Sequence, residues 1–453
     1  MSNKMHLLSA SSRKRGTGGV HAQVLPRLRV PAFARLMSIP ARSFAPFLAL
    51  VIAVGLCCVP ARAAEALKFA FLGSLSGPFA LQGEETLKSL QAAADVVNAR
   101  GGVGGKKIEI VAFDNKGSPQ ESLIALKQAI DQDIRYIVSG VSNVAHALTD
   151  AIAKHNARSS DRPVLFLDYG ALDPALTEAK CNFWHFRFEP HADTQLDVLT
   201  RYMAKQADVR KVYLINQDYA FGQAVSRSGK EMLAARRPDI QIVGDELIPF
   251  GKVKDFAPYV AKIRASGADS VLTGNWGNDL SLLIKAGNES NLNVTYYTLL
   301  ATFFGTPSLI GPHGVDHVKT ITPWDINVAD AGRQKALLEA KAKYKALSNL
   351  NYLPAYRVFE LTAEAAKKAG SIDPPKVARA LEGLHWAGPS GDSWMRADDH
   401  QMVAAVYIMS WVKAGQPGAK YDAEGSGHGW KSELLIPAKD ATPAVKCQME
   451  RPG

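Results

Sequence analysis

Short β-rich runs alternate with helical patterns along this 453-residue chain, and this alternation constrains the possible fold more than any other feature. The predicted strands are Leu67–Leu72, Lys107–Phe113, Tyr136–Ser139, Val164–Leu167, Lys211–Asn216, Gln241–Leu247, Ser270–Thr273 and Thr295–Leu300. The predicted helices between them are Glu84–Asn98, Pro119–Asp131, Ala145–Asn156, Asp193–Gln206, Phe221–Arg236, Phe256–Ser266 and Asp279–Ala286. Such alternation builds parallel sheets with right-handed crossover connections, so the predicted fold class is α/β and doubly wound.

Ligands of open α/β sheets bind at the carboxyl ends of the strands, beside the N-termini of helices. The first predicted strand leads into a loop of small residues, Gly73–Gly83, before the first long helix. We therefore expect this loop to face a ligand.

The N-terminal segment has the composition of an export signal. Arg42 precedes the apolar run Phe44–Val59, and Ala61-Arg-Ala63 fits a small-x-small cleavage pattern, so residues 1–63 are predicted to be a leader, with Met37 as an alternative start. The apolar run is shorter than the ~20 residues that cross a bilayer. Cys57 and Cys58 lack the small preceding residue that lipid attachment needs, so we expect a freely released periplasmic protein.

The formal charge of +10 comes mostly from this predicted leader. Residues 1–63 carry nine Lys or Arg and no acid, which leaves 44 basic and 43 acidic residues in the remainder. A nearly neutral mature chain lacks the charge excess that binds phosphate backbones, so nucleic acid is not an expected partner.

Two cysteines, Cys181 and Cys447, follow the predicted cleavage site. In an oxidising compartment such a pair is expected to form a disulfide, and two unpaired buried thiols remain the alternative.

Three segments resemble enzyme or metal motifs but lack what the chemistry requires. Gly140–Val144 has valine where a nucleophile elbow needs its second glycine. Arg100–Lys107 is glycine-rich, but it precedes a strand and has no Ser or Thr after Lys106, so a helix end and turn explain it better than a phosphate site. His313 and His317 are separated by a glycine that disfavours a metal-binding helix. We expect no catalytic residues, no metal and no cofactor.

Loops at the predicted strand ends are rich in hydroxyls, small residues and aromatic rings. Ser142 and Asn143 lie between a strand and a helix, where hydroxyl, amide and backbone N–H groups can meet a carboxylate. Further loops of this kind are Tyr169–Pro174, Asp218–Gly222 and Asn275–Asn278. Their aromatic rings could form the wall of an apolar binding cleft or fill the core beneath the loops.

Together these segments resemble the type I periplasmic binding proteins, in the branch around the leucine/isoleucine/valine-binding protein of branched-chain amino acid ABC importers. The matching segments are Gly73–Pro78, Ala93–Gly105, Asp114–Asn115, Gly140–Asn143, Phe186–Arg187, Asp218–Gly222 and Ala268–Val271. The resemblance implies two doubly wound lobes joined by three hinge crossovers, with a small-molecule ligand enclosed between them. It also implies an inner-membrane ABC permease as partner and a monomeric receptor that is not an enzyme.

The same resemblance implies the lobe boundaries and the ligand-binding residues. Lobe 1 would comprise residues 66–192 and 325–402, and lobe 2 residues 193–324 and 403–453. The candidate ligand-binding residues are Gln82, Ser142, Asn143, Asp168, Tyr169, Gly170, Ala171, Tyr219, Phe221, Trp276 and Thr302. Ser142 and Gly170 match the positions that hold a ligand carboxylate, Gln82 stands where the family often has tyrosine, and Leu172 has lost the usual hydroxyl.

One departure concerns the ligand ammonium. Amino acid receptors of this family supply an acid from the loop after the strand near Thr295, whereas Leu300–Pro307 contains none. A buried ammonium without a partner is costly, so either Asp168 substitutes or the ligand has no ammonium. The chain is thus expected to bind an apolar amino acid or a related small carboxylate or amide. A ligand-sensing domain of the same fold and an exported hydrolase are the alternatives.

Overall fold

The computed structural model describes residues 65–328, 331–349 and 352–452. The predicted leader, including Met37 and the cleavage site after Ala63, lies outside these ranges. Within them, no helix combines the length and apolarity that crossing a membrane would require.

The first sheet is parallel throughout and has the strand order β2-β1-β3-β4-β5. Its strands are β1 (Leu67–Gly73), β2 (Ile108–Asp114), β3 (Tyr136–Ser139), β4 (Leu165–Asp168) and β5 (His185–Arg187). The helices that connect the first four strands are α1 (Ala80–Ala99), α2 (Pro119–Asp131) and α3 (Ser142–Arg158). Alternate residues of β1 are buried on opposite faces, because Phe69 and Phe71 join one core cluster and Ala70 and Leu72 another.

The second sheet has the strand order β15-β14-β10-β9-β8-β6-β7 and is parallel from β7 to β10. These strands are β6 (Lys211–Gln217), β7 (Gln241–Ile248), β8 (Ser270–Thr273), β9 (Thr295–Thr298) and β10 (Val318–Thr322), with β14 (Val406–Lys413) and β15 (His428–Ile436) added antiparallel at one edge. The associated helices are α4 (Ala192–Met203), α5 (Ala220–Arg236), α6 (Ala257–Ser266), α7 (Gly277–Glu289) and α8 (Pro307–Ile310). The predicted α/β class with parallel sheets is confirmed.

The segment after β10 leaves the second sheet and packs against the first. It contains α9 (Ala331–Tyr344), α10 (Leu353–Ala369), α11 (Pro374–Leu381) and a small third sheet of β11 (His385–Gly388), β12 (Gly391–Met395) and β13 (Met402–Val403). Phe359 of α10 shares the core cluster of Phe69 and Phe71. The chain then returns to the second sheet through β14.

This return divides an apolar run that looks continuous in the sequence. The apolar run Met402–Val412 reads as one strand, but the structure divides it into β13 and β14, which belong to different sheets. Ala404 and Ala405, which lie between them, are buried where the chain crosses. Hydrophobicity alone cannot locate such a crossing, because both strands and the connection are shielded from water.

Cys181 and Cys447 are joined by a disulfide. The bond attaches the C-terminal segment to the loop that precedes β5.

Candidate functional site

A cavity lies between the carboxyl ends of the strands of the first and second sheets, and we call it the cleft. Its lining residues are Ser74, Phe79, Gln82, Gly83, Thr86, Gly140, Val141, Ser142, Tyr169, Gly170, Leu172, Glu189, Tyr219, Phe221, Trp276, Leu300, Phe303 and Tyr352. Many of these follow β1, β3, β4 and β5 on one side and β6, β8 and β9 on the other. The cleft is therefore at the edge where open α/β sheets bind ligands.

Several helices begin at the cleft. Helices α3, α5 and α7 have Val141, Tyr219 and Trp276 as N-cap residues, each extended and without a side-chain hydrogen bond to the helix. The first N–H groups of a helix have no partner inside it and carry the positive end of its dipole. Neither α3 nor α5 has an acidic residue in its first turn to offset this potential. The cleft thus favours an anionic group, such as a carboxylate, near these helix starts.

Ser142 is the hydroxyl at the start of α3. Its Oγ accepts a hydrogen bond from the backbone N–H of Asp173 at 3.2 Å, which ties the helix start to the loop after β4. The hydroxyl proton can still be donated to a ligand oxygen. Asn143 instead accepts a hydrogen bond from the N–H of Val144 through its Oδ1 and does not line the cleft.

Aromatic side chains from both sides form a second wall of the cleft. The ring of Trp276 is stacked on Phe79 at 4.4 Å between centroids, and its Nε1 donates to the hydroxyl of Tyr219 at 2.8 Å. Phe250 stacks on both Phe79 and Tyr219, at 4.6 and 4.5 Å. Such a wall suits an apolar or aromatic ligand body.

Seven of the residues predicted from the sequence line the cleft: Gln82, Ser142, Tyr169, Gly170, Tyr219, Phe221 and Trp276. Four predicted residues, Asn143, Asp168, Ala171 and Thr302, do not. Thr302 lines a different cavity, together with Phe304 and Glu424. Successive side chains of a strand, helix or turn point in different directions, so a residue next to a lining residue need not face the cleft.

Asp168 is fully buried and directed away from the cleft. One carboxylate oxygen accepts hydrogen bonds from the N–H groups of Gly170 and Ala171 at 3.0 and 2.8 Å, and the other lies 3.0 Å from Nε2 of His185. The carboxylate thus shapes the loop that follows β4. It does not replace the family's ammonium-binding acid, as one of the sequence-based alternatives required.

Glu189 lines the cleft and carries a carboxyl group, but the sequence analysis did not predict it as a site residue. It follows β5, a strand too short to be recognised from the sequence, and its side chain is buried against the cleft. Tyr352, at the start of α10, donates its hydroxyl to Glu189 Oε2 at 2.9 Å and lies 3.1 Å from the carbonyl oxygen of Tyr169. Burial raises the pKa of Glu189 to about 8, although Tyr352 and Arg357 oppose this shift.

Arg187 supports the loop that carries the lining residues. Its buried guanidinium donates to the carbonyl oxygens of Ala171 and Asp173, to Thr177, and through Nε to Oε1 of Gln401 at 2.7 Å. These bonds connect β5, the loop after β4 and the segment before β13. The arginine that matched the family's Phe186–Arg187 segment is thus a structural residue beneath the cleft.

Two polar contacts cross the cleft. Nε2 of Gln82 donates to the carbonyl oxygen of Phe304 at 3.0 Å, and Nδ2 of Asn278 donates to the carbonyl oxygen of Pro78 at 3.0 Å. Gln82 and Pro78 precede or belong to α1 beside the first sheet, whereas Phe304 and Asn278 follow strands of the second. With Phe79 stacked on Trp276, these contacts hold the two sides together.

Among the described residues that line the cleft, no assembled nucleophile or metal centre is present. The Ser142 hydroxyl contacts a backbone N–H, and the nearby His146 is paired with the carboxylate of Asp173 at 2.6 Å. Throughout the described ranges, no three His, Cys, Asp or Glu side chains are grouped so that they could hold a metal ion.

Residues 66–416 match a family model described as periplasmic binding protein. The chain is 32% identical over 412 residues to "Leu/Ile/Val-binding protein homolog 4" of Brucella abortus (strain 2308), which covers 88% of this chain and 97% of that protein. It is 24% identical to a leucine-, isoleucine-, valine-, threonine- and alanine-binding protein of Pseudomonas aeruginosa, over 73% of this chain and 86% of that protein.

Solved structures show the same fold. A leucine-, isoleucine-, valine-, threonine- and alanine-binding protein from Brucella ovis, in a closed conformation, matches with a TM-score of 0.73 and 30% identity, over 86% of this chain and all of that one. A solute-binding protein of an ABC transporter from R. palustris, in complex with 4-hydroxybenzoate, matches with a TM-score of 0.69 and 21% identity, over 82% of this chain and 97% of that one.

Proposed function

The chain belongs to the periplasmic binding protein family, and from this premise we propose that it is the solute receptor of an ABC importer, capturing an apolar amino acid or a related small carboxylate or amide. Members of this family bind solutes without transforming them, so the chain is not an enzyme. The receptor would act in the periplasm and deliver its ligand to an inner-membrane permease.

The observation that carries this proposal is the pairing of two unlike walls in one cleft. The start of α3, with Ser142, offers a hydroxyl donor and the positive end of a helix dipole. Trp276 and Phe79, which line the same cleft, offer an apolar surface. A small molecule with a carboxylate or amide head and an apolar body satisfies both walls.

The ligands of the relatives are consistent with this chemistry. The Brucella ovis structure is named for binding leucine, isoleucine, valine, threonine and alanine, and the R. palustris structure contains 4-hydroxybenzoate. Both kinds of ligand combine a carboxylate with a compact body, and the first kind also carries an ammonium.

We further propose that residues 66–192 with 325–402, and residues 193–324 with 403–453, move as two lobes that close on the ligand. The hydrogen bonds from Gln82 to Phe304 and from Asn278 to Pro78 would then belong to the closed form. Ligand contacts made to both lobes bind the closed form more tightly and shift the population towards it.

A thermal-shift screen of the chain from Ala64 tests the proposed function. The probes are free amino acids, short and aromatic carboxylic acids, and small amides. A bound ligand raises the melting temperature, because it binds the folded state at a concentration well above its Kd. If no member of these three classes shifts the melting temperature, the proposed ligand chemistry is wrong.

Replacing Ser142 with alanine is expected to weaken binding of a carboxylate ligand about 10- to 100-fold, since a hydrogen bond to a charged group contributes roughly 1.5–3 kcal/mol. Isothermal titration calorimetry with a ligand identified by the screen measures this change. Ser160→Ala, at an exposed position beyond the end of α3, is the matched control and should bind as the wild type does. Equal affinities for Ser142→Ala and the wild type would remove Ser142 from the site.

Replacing Asn278 with alanine is expected to weaken binding several-fold without any change in ligand contacts. The exposed Asn278 side chain is not part of the cleft lining, but its bond to Pro78 spans the two sides. Loss of a bond worth ~1 kcal/mol lowers the closed fraction and so the apparent affinity. Small-angle scattering of the ligand-free protein should show a larger radius of gyration for the variant. An unchanged radius together with unchanged affinity would argue against closure through this contact.

A further inference from the structure

The cleft contains groups of both electrical signs. The starts of α3 and α5 present the positive ends of helix dipoles without acidic residues in their first turns. Glu189, on the same first-sheet side as α3, presents a carboxyl group that lies among Tyr169, Gly170 and Tyr352. A ligand that carries both a carboxylate and a cation fits this arrangement better than a simple anion does.

Gly170 lies next to both the Glu189 carboxyl group and the segment that leads into α3. A Cβ atom at Gly170 would lie 3.6 Å from Oε2 of Glu189 and 3.5 Å from the carbonyl oxygen of Gly140, which is two residues before Ser142. The same Cβ would lie 2.7 Å from the Tyr352 hydroxyl, so a side chain at this position would collide with the group that positions Glu189. The Glu189 carboxyl and the start of α3 therefore border the same corner of the cleft.

We propose that Glu189 selects ligands with an α-ammonium, so that the solute is an apolar α-amino acid whose ammonium lies against Glu189 and whose carboxylate lies against the start of α3. This inference rests on the proposed function and narrows its ligand class. In an α-amino acid the two charged groups share one carbon, which matches two complementary protein groups at one corner of the cleft. The acid thus comes from the first-sheet side, whereas Leu300–Pro307 on the second-sheet side has none.

The hydrogen bonds around Glu189 favour a protonated carboxyl group. Tyr352 has one hydroxyl proton but lies within hydrogen-bond distance of both the Tyr169 carbonyl oxygen and Glu189 Oε2. This single proton cannot fully serve both acceptors, so an ionised Glu189 would receive only part of one hydrogen bond from Tyr352. Burial raises the Glu189 pKa to about 8, which agrees with this arrangement.

Other charged groups around Glu189 modify its titration but do not replace a ligand ammonium. Tyr352 and the buried Arg357 and Arg187 favour the ionised carboxylate, and Asp168 opposes it. An ammonium that enters the cleft adds a positive charge in direct contact. The carboxyl then loses its proton to solvent, so binding and proton release are coupled.

The sign and size of this coupling follow from the free-state pKa of about 8. Binding an α-amino acid should release roughly 0.9 proton at pH 7 and roughly 0.5 at pH 8. Since the ligand requires the ionised carboxylate, its affinity should rise about tenfold from pH 6 to pH 7 and level off above pH 8.

Titration calorimetry of the chain from Ala64, in buffers with different ionisation heats, measures both quantities. The probes are L-leucine, other apolar amino acids from the screen, and 4-methylpentanoate, which is leucine without its amino group. Glu189→Gln keeps the side-chain shape but cannot carry a negative charge, and Glu109→Gln on the exposed face of β2 is the matched control.

The expected result is proton release with the amino acid in the wild type and in Glu109→Gln. In Glu189→Gln, the amino acid should bind at least about tenfold more weakly, without proton release, whereas 4-methylpentanoate should bind equally to all three proteins. Should Glu189→Gln fail to fold, proton release and the pH dependence of the wild type decide the question alone.

The outcomes separate this inference from the proposed function. Binding of carboxylic acids or amides but of no amino acid, or amino acid binding without proton release and without loss in Glu189→Gln, would overturn the role of Glu189 and leave the solute receptor intact. Absence of binding by all three ligand classes would refute the proposed function itself.

Discussion

Replacing Trp276 with alanine is expected to weaken ligand binding by about 30- to 1,000-fold. Truncation of a central aromatic side chain in a binding site commonly costs ~2–4 kcal/mol, and each 1.4 kcal/mol is a tenfold change in Kd. Trp276 is 6% exposed and contacts aromatic rings from both sides of the cleft. Its loss would remove apolar contact with the ligand and the stacking on Phe79 that helps to close the cleft.

Titration calorimetry with the ligand from the screen measures this loss, and two further variants make the result specific. Trp276→Phe retains an aromatic ring but loses the Nε1 bond to Tyr219, so it should lose only about tenfold in affinity. Trp394→Ala, in β12 of the third sheet, controls for the removal of a tryptophan remote from the cleft. A change of less than threefold in Trp276→Ala would show that the aromatic wall does not contact the ligand.

Replacing Arg187 with methionine is expected to lower the free energy of unfolding by about 3–5 kcal/mol. The side chain is fully buried, and methionine cannot donate to the carbonyl oxygens of Ala171 and Asp173 or to Gln401. Each buried acceptor that loses its donor costs roughly 1–3 kcal/mol. The loop that carries Gly170 and bonds to Ser142 should loosen as well, so affinity should also fall.

Urea unfolding at 25 °C, followed by circular dichroism, measures the stability of this variant. Arg201→Met is the matched control, because Arg201 is 43% exposed in its ion pair with Asp197 and such surface pairs contribute at most about 1 kcal/mol. Stability of Arg187→Met within 1 kcal/mol of the wild type would contradict the structural role assigned to this guanidinium.

Strands with a long apolar pattern were predicted from the sequence, whereas a short strand with polar residues was not. Strands β1 and β6 are seven residues long, largely apolar and followed by long helices, so their pattern was sufficient. β5 has only three residues and includes His185 and Arg187, whose burial depends on partners far away in the chain. No local pattern marks a strand whose polar side chains are satisfied by tertiary contacts.

The candidate site likewise contains some residues that the sequence predicted and others that it did not. Ser142, Tyr219 and Trp276 lie at the transitions from strand to helix, and those transitions are visible in the sequence as apolar runs followed by hydroxyl or aromatic residues. Asp168 is the last residue of β4 and Glu189 follows β5, yet only Glu189 lines the cleft. The difference is one of side-chain direction, which depends on the residues packed around each carboxyl group.

By itself, the sequence determined the α/β class, the family and the strand ends at which a ligand should bind, because these follow from local periodicity and from short segments shared with relatives. Only the tertiary structure decided which acid lines the cleft. Asp168 is directed to His185 by its partners within the first sheet, whereas Glu189 meets Tyr352 from a helix 163 residues away. The free energy of placing a charge in a cleft depends on such distant neighbours, and linear order does not reveal them.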